Sequence, residues 1–148
     1  MHPYFQNMPA FGKKLSDKKK EKGADNRKQI EEVEAFVASE VDRVKNAGIP
    51  AEKVHKRGQL TVWERIEYLV DEGSFRPLHT LYSPRQNEEG TTGVVDGLAK
   101  INGKWCVVAG FDNKVMAGAW IAGQAENQLR ITDLAKRLGV PLVWLVNC

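Results

Sequence analysis

The clearest hydrophobic pattern lies in the second half of the chain, where two apolar runs flank the pair Asn102-Gly103. Both residues tolerate the positive φ of a two-residue hairpin turn, so the sequence predicts strands over Val94–Ile101 and Lys104–Phe111. The two faces of the second strand carry Trp105, Val107, Ala109 and Phe111 on one side and Cys106, Val108 and Gly110 on the other. Neither face is charged, so we expect that strand to be covered on both sides.

A helix and a final strand are predicted after the hairpin. The helix runs over Gln124–Leu138 and ends at Gly139, and Pro141 forbids its continuation. Its expected inward residues are Leu129, Leu134, Ala135 and Leu138. An apolar run over Val140–Val146 predicts a buried strand, parallel to the preceding one through a right-handed crossover. Because a core strand is then the last element, we expect the chemistry to be incomplete at Cys148.

The segment between hairpin and helix, Asp112–Gly123, combines a polar start with small residues. Val115-Met116 is predicted to form a short strand. The run Ala117-Gly118-Ala119 removes side-chain bulk, so another backbone or a ligand can approach closely. Tight packing of the helix on the sheet explains the same small residues without a ligand. The free amides at the helix start can hold an anion, although every helix has such an end.

Two helices are predicted in the first half of the chain. The first spans Asn26–Ala47, with Asn26 and Gln29 as a capping pair and an apolar face of Ile30, Val33, Val37, Val41 and Val44. The second begins at Thr61, which forms a capping box with Glu64, and Gly73 stops it. Its apolar side is Trp63, Ile66, Tyr68, Leu69 and Val70. Ser83–Gly93 is predicted to be a polar loop.

Charge is distributed unevenly along the chain. Residues 1–28 carry eight lysines or arginines and three acids, a net charge of +5, whereas the remainder carries −2. Met1–Gly23 is predicted to be irregular, because its lysines repel one another, although Tyr4, Phe5, Met8 and Phe11 could attach it to a partner. Since the basicity belongs to this arm and not to the body, the charge does not indicate a nucleic-acid partner.

The usual signatures of metal, nucleophile and phosphate sites are absent from the sequence. His2, His55 and His79 lie far apart, and no Cys-x-x-Cys, nucleophile elbow or Walker pattern occurs. Two cysteines make no disulfide framework, and Cys106 in a buried strand is expected to be a reduced thiol. No apolar run has membrane-spanning length, and no secretory signal is seen, which indicates a cytoplasmic setting.

Three motifs carry a family resemblance: ERIEYLVDEGSFRPL at Glu64–Leu78, GLAKINGKWCVVAGFDNKVMAGAW at Gly97–Trp120 and PLVWLVNC at Pro141–Cys148. Residues 59–148 thereby resemble the start of the carboxyltransferase subunits of biotin-dependent acyl-CoA carboxylases and decarboxylases. The variants DNKVMAGAW and VNC, together with the opening PYFQNMP, are similar to the decarboxylase branch that acts on glutaconyl-CoA.

The resemblance implies an α/β, crotonase-like fold, in which β-β-α units spiral around a core. This chain would supply only the opening part, preceded by two N-terminal helices. We therefore expect a basic arm over residues 1–25, a helical segment over 26–73, and the start of the first carboxyltransferase domain over 74–148.

The resemblance also implies a reaction, decarboxylation of glutaconyl-CoA with transfer of the carboxyl group to biotin on a carrier subunit. Fixed main-chain amides would stabilise the developing oxyanion, each by about 3–4 kcal/mol, and no metal is expected. Those amides would follow Cys148, so no catalytic residue is assigned within this chain. By fold analogy, the residues expected to contact CoA are Met116, Ala117, Gly118, Ala119 and Trp120.

The implied partners are a biotin carrier subunit, a membrane-embedded decarboxylase subunit, and a second copy of the full-length chain in a homodimer. The branch implies a sodium pump of glutamate fermentation, with a cytoplasmic subunit held at the inner membrane by its partners. One alternative is the carboxyltransferase β subunit of a propionyl- or methylcrotonyl-CoA carboxylase. Another is a non-catalytic module whose basic arm contacts RNA or anionic lipid.

Overall fold

The computed structural model describes residues 12–83 and 90–147. The chain divides into two compact units, Met1–Ala38 and Ser39–Cys148. Residues 84–89 of the predicted polar loop, the four apolar arm residues and Cys148 lie outside the described residues. Within residues 12–83 and 90–147, no helix has the length and hydrophobicity needed to cross a membrane.

Helix α1 spans Asp17–Lys45, so most of it belongs to the first unit. The prediction of irregular chain up to Gly23 is therefore wrong from Asp17 onward, and Asn26 lies inside the helix and not at its cap. Lys20 donates to Asp17 at 2.9 Å, an i,i+3 pair that offsets the repulsion among neighbouring lysines. The expected buried face is also wrong in this unit, because Ile30, Val33 and Val37 are exposed.

The second unit contains a four-stranded sheet in the order β1-β2-β3-β4. Its strands are Arg76–Leu78, Val94–Ile101, Lys104–Phe111 and Leu142–Leu145. The first three strands pair antiparallel, and β3 and β4 pair parallel, with Val107 opposite Leu142. The hairpin and the parallel pairing are confirmed, whereas the handedness of the crossover stays a prediction. Sequence analysis missed β1, which is only three residues long and contains Pro77.

Two helices cover the two faces of this sheet, which confirms the expectation for β3 over residues 106–111, whereas Trp105 is exposed. Helix α3, Val62–Leu69, packs with Val95, Ala99, Cys106 and Val108. Helix α4, Gln124–Leu138, packs with Val94, Val107, Ala109 and Phe111. The capping box of α3 is present, since Glu64 N donates to the Thr61 hydroxyl and Thr61 N donates to the Glu64 carboxylate. A short helix, α2 over Ala51–His55, was not predicted.

Several residues predicted to be buried are exposed. In α4, Leu129 and Leu138 are exposed, and fully buried Ile131 lies inward instead. Tyr68 of α3 is 82% exposed, because it lies away from the face that carries Val62 and Ile66. Strand β4 is shorter than predicted and only partly buried, since the described chain supplies it with one neighbouring strand, β3.

Asp71 holds the turn of the β2–β3 hairpin. Its carboxylate accepts from the Asn102 amide at 2.9 Å and from the Gly103 amide at 2.7 Å. Its own amide donates to Lys100 O at 2.8 Å, and Ser74 Oγ accepts from the Lys100 amide at 3.1 Å. Asp71 and Ser74 of the first motif therefore hold the hairpin that lies within the second motif. This contact gives that part of the first motif a structural role.

Candidate functional site

The candidate site is the segment that leaves β3 and crosses to α4, beside the end of β4. The carboxyl ends of β3 and β4 meet at one edge because the two strands are parallel, and ligands of α/β sheets commonly bind at such an edge. The predicted short strand at Val115-Met116 is wrong, because Met116–Gly118 forms a single 3-10 turn.

This turn holds three consecutive residues with positive φ, namely Met116 at 47°, Ala117 at 56° and Gly118 at 81°. Residues other than glycine rarely adopt that conformation, and they require support from surrounding structure. Asn147, just after β4, supplies it: its Nδ2 donates to Ala117 O at 3.1 Å. A Cβ on Gly118 would lie 2.8 Å from Asn147 O. The small residue Gly118 therefore allows close approach of another backbone, as predicted, and the approaching segment is the chain's own backbone at Asn147.

Three buried polar residues anchor the start of the segment. Asp112 Oδ1 accepts from the Lys114 amide at 2.9 Å, and Asn113 Nδ2 donates to Leu60 O at 3.0 Å. The Lys114 ammonium donates to Lys45 O. Burial raises the pKa of the Asp112 carboxyl, and the amide and the charge of Lys114 oppose that rise. Asp112, Asn113 and Lys114 therefore anchor the start of the segment that leads from β3 to α4.

Gln124 anchors the end of the segment at the start of α4. It is 1% exposed, and its Nε2 donates to Thr92 O at 2.7 Å and to Ala119 O at 3.2 Å. Sequence analysis missed both Gln124 and the buried Asn127, although a signal exists. Their spacing continues the helical stripe of Ile131 and Ala135, which are buried against the sheet.

A cluster of three aromatic rings lies beside the turn, with Phe111 buried and Trp120 exposed. Phe111 lies between Trp120 and Trp144, with ring centroids 6.2 and 6.1 Å apart. Trp120 is 65% exposed and Met116 is 60% exposed. Of the five predicted CoA-contact residues, only Gly118 is buried, and the other four are accessible. The arrangement offers an accessible backbone turn next to an aromatic surface, with a shape set by contacts on both sides.

The described residues contain no group of three or more His, Cys, Asp or Glu placed to hold a metal. Cys106 is a free buried thiol, as expected, and burial raises its pKa. Two histidines instead pair with carboxylates: His55 with Glu64 and His79 with Asp96, each at 2.9 Å. Sequence analysis missed both pairs, because their members are distant along the chain.

Comparison with known proteins identifies the family. The sequence profile of the carboxyl transferase domain matches residues 53–148, which include α3 and the whole sheet. This chain belongs to the carboxyl transferase family. It is 48% identical over 148 residues to glutaconyl-CoA decarboxylase subunit alpha of Acidaminococcus fermentans, covering 100% of this chain and 24% of that protein. It is 37% identical over 101 residues to the propionyl-CoA carboxylase beta chain of Cereibacter sphaeroides, covering 64% of this chain and 20% of that one.

Solved structures of carboxyl transferases share the fold. Transcarboxylase 12S, solved with methylmalonyl-coenzyme A and methylmalonic acid bound, superposes with a TM-score of 0.71 and 25% identity, covering 79% of this chain and 25% of that one. The geranyl-CoA carboxylase beta subunit of P. aeruginosa gives a TM-score of 0.64 at 23% identity, and the match covers 94% of this chain and 27% of that one. The crotonase-like fold expected from the sequence is thus confirmed. The chain spans about a quarter of the length of these carboxyl transferases.

Proposed function

We propose that this chain forms the opening part of a carboxyltransferase that decarboxylates glutaconyl-CoA and transfers the carboxyl group to biotin on a separate carrier subunit. The observation that carries this proposal is the similarity to glutaconyl-CoA decarboxylase subunit alpha, which extends over all 148 residues. This similarity therefore includes residues 1–52, which lie before the region that the family profile matches.

The proposed chemistry requires stabilisation of negative charge. Loss of the carboxylate places charge on the thioester oxygen, and fixed amide donors in a dry pocket can lower the barrier by about 3–4 kcal/mol each. We propose that these amides follow Cys148, after the strand that contains Leu142–Leu145. Biotin, when present on its carrier, accepts the carboxyl group, and we assign no residue of this chain to biotin.

The proposed role of this chain is to position the acyl-CoA. Ala117 and Ala119 are exposed, and their side chains are too small to obstruct an extended ligand. Trp120 and Met116 supply exposed apolar surface on either side. Because Asn147 bonds to Ala117 O, the turn is linked to the end of β4, directly before the proposed oxyanion amides. We infer that Asn147 aligns the two parts of the site.

Binding of acyl-CoA to the full-length protein tests this role. Gly118→Val should raise the dissociation constant of glutaconyl-CoA about tenfold, equivalent to about 1.4 kcal/mol, because the new side chain would displace Asn147. Gly139→Val is the matched control, since Gly139 also has a positive φ and no atom near its Cβ position. Unchanged binding in Gly118→Val, or equal weakening in both variants, would contradict the proposed contact.

A carboxylase β subunit acting on propionyl- or methylcrotonyl-CoA is the second candidate, because the propionyl-CoA carboxylase chain shares 37% identity over 101 residues. Turnover of glutaconyl-, propionyl- and methylcrotonyl-CoA by the complete enzyme separates the two candidate functions.

We also propose three partners: a biotin carrier, a membrane-embedded decarboxylase subunit of a sodium pump, and a second copy of the full-length chain in a homodimer. The native mass tests the last point, since the transcarboxylase 12S structure is described as a hexamer.

A further inference from the structure

A cleft lies at the opposite edge of the sheet, where β1 ends beside α4. Its volume is about 290 Å³, and its lining residues are Leu78, His79, Arg130, Asp133, Leu134 and Arg137. Strands β2 and β3 separate β1 from β4. At about 4.8 Å per strand, the two edges are roughly 14 Å apart. The cleft is therefore distinct from the turn at Met116–Gly118.

His79 is oriented in this cleft by a buried carboxylate. Asp96, in the middle of β2, is 1% exposed, and its Oδ1 lies 2.9 Å from His79 Nδ1. A carboxylate accepts, so Nδ1 donates to Asp96, and Nε2 is a second donor when the ring is an imidazolium. His79 has a φ of 50°, a conformation that a residue other than glycine rarely adopts. The ring is thus held in place by the fold and not by local preference.

A buried polar cluster, formed by Asp96 and Asn127, lies behind His79. Oδ2 of Asp96 and both carboxamide atoms of Asn127 make no hydrogen bond within the described chain, although both residues are buried. Burial raises the pKa of the Asp96 carboxyl, and the hydrogen bond and charge of His79, followed by the Asn127 side chain, oppose that rise. Unsatisfied buried polar groups cost stability, so apolar residues would serve a purely structural role better.

Two arginines of α4 complete the cleft. Arg130 and Arg137 are seven positions apart and therefore lie on the same face of the helix. The Arg130 guanidinium lies 4.8 Å from the centroid of the Tyr82 ring, and Arg137 Nε lies 2.7 Å from Asp133 Oδ2. Asp133 offsets one of the two positive charges. A guanidinium has a planar set of donors that matches phosphate oxygens, and stacking on a ring pre-orients it.

We propose that this cleft binds a phosphate group, with Arg130, Arg137 and Nε2 of the His79 imidazolium as donors and Asp96 as the residue that positions His79. The phosphate could belong to CoA or to a separate phosphorylated metabolite, since both present the same oxygens. The site involves none of the residues of the turn at Met116–Gly118, so it does not depend on the proposed carboxyltransferase function.

Calorimetric titration of the 148-residue chain with pyrophosphate tests the cleft. Arg130→Gln should raise the dissociation constant about tenfold, because it removes a charged bidentate donor. Arg57→Gln is the matched control, since Arg57 is also exposed but lies after α2, outside the cleft. Absence of saturable binding by the native chain would overturn the proposal. Equal weakening of pyrophosphate binding in both variants would also overturn the proposal, because it would show that only the net charge of the chain affects binding.

His79 can be followed in the native chain, which protects the test against variants that fail to fold. The chain has three histidines, and pyrophosphate should shift the ring resonances of His79 and leave those of His55 unchanged. A shift at neither histidine would contradict the proposal. His79→Gln, which keeps a donor, should bind more tightly than His79→Phe.

Competition between pyrophosphate and CoA distinguishes the two phosphate sources. Displacement of pyrophosphate by CoA, lost in Arg130→Gln, identifies the phosphate as that of CoA. Simultaneous binding of both identifies a separate phosphorylated ligand. Gly118→Val should leave pyrophosphate binding unchanged, so failure of the proposed acyl-CoA contact and failure of the phosphate cleft give different results.

Discussion

The hairpin turn at Asn102-Gly103 and the turn at Met116–Gly118 both require positive φ, yet they achieve it differently. Asn102, at 50°, and Gly103, at 76°, tolerate that conformation by themselves. Met116 and Ala117 do not, and their turn is held by Asn147 and Gln124, which are distant along the chain or belong to the next helix. The first turn is thus specified locally, and the second is imposed by tertiary contacts.

This difference indicates where function is to be sought. A locally specified turn needs no further explanation, and Asp71 merely reinforces it. A turn whose own residues disfavour its shape persists only where the surrounding structure holds it, and such turns are common at binding sites. The strained turn at Met116–Gly118 coincides with the proposed acyl-CoA contact.

Gln124→Ala should have the largest effect, a loss of about 3 kcal/mol in the free energy of unfolding. The variant leaves the carbonyl groups of Thr92 and Ala119 without their donor in a buried site. Urea denaturation measures the loss. Gln128→Ala is the control on the same helix, since the Gln128 amide nitrogen makes no hydrogen bond within the described chain. Equal losses would show that Gln124 is not a specific anchor.

Asp71→Ala should cost about 2 kcal/mol, because two charge-assisted hydrogen bonds to the hairpin turn disappear. The hairpin should nevertheless persist, since Asn102-Gly103 retains its own preference. Hydrogen exchange should therefore accelerate at the amides of residues 102 and 103 and remain slow in the centre of β3. Glu72→Ala, at an exposed neighbouring position, should change neither quantity. Global loss of protection in Asp71→Ala would mean that the turn is not locally specified.

Ala117→Gly should stabilise the chain by about 0.5 kcal/mol. Relief of the left-handed conformation is worth about 1–2 kcal/mol, and the greater freedom of glycine in the unfolded chain offsets part of it. Asn102→Gly is the matched comparison, and it should give no gain because asparagine already tolerates its φ of 50°. The midpoint of urea unfolding measures both. An equal gain in the two variants would remove the contrast between the turns.

Glu64 gives the smallest expected effect, because its carboxylate is partly exposed. Its hydrogen bond with His55, followed by the bonds from Thr61, lowers its pKa from 4.5 to about 2. A pKa lowered by folding stabilises the native state above pH 4.5, and that contribution is lost as the pH falls to about 2. Glu64→Gln should therefore weaken the acid dependence of the urea midpoint. Glu67→Gln, on the same helix, should leave it as in the native chain.

Much of the second unit could be predicted because its signals are local. The bounds of the hairpin strands and of α4 agree with the predictions, and so does the capping box at Thr61. The start of α1 was missed, because the repulsion among lysines was overestimated against the i,i+3 pair of Asp17 and Lys20. The inward face of α4 was partly wrong, because hydrophobicity favoured Leu129 over the buried polar stripe.

Signals within the sequence were sufficient to predict the hairpin, the helix after it and the family to which the chain belongs. Turn residues, caps and periodicity act over a few positions, so they can be interpreted one segment at a time. The shape of the turn at Met116–Gly118, the hydrogen bond from Asn147 and the pairing of His79 with Asp96 were not predicted and are seen only in the folded chain. Each joins residues at least 17 positions apart, and such contacts exist only once the sheet brings its strands together.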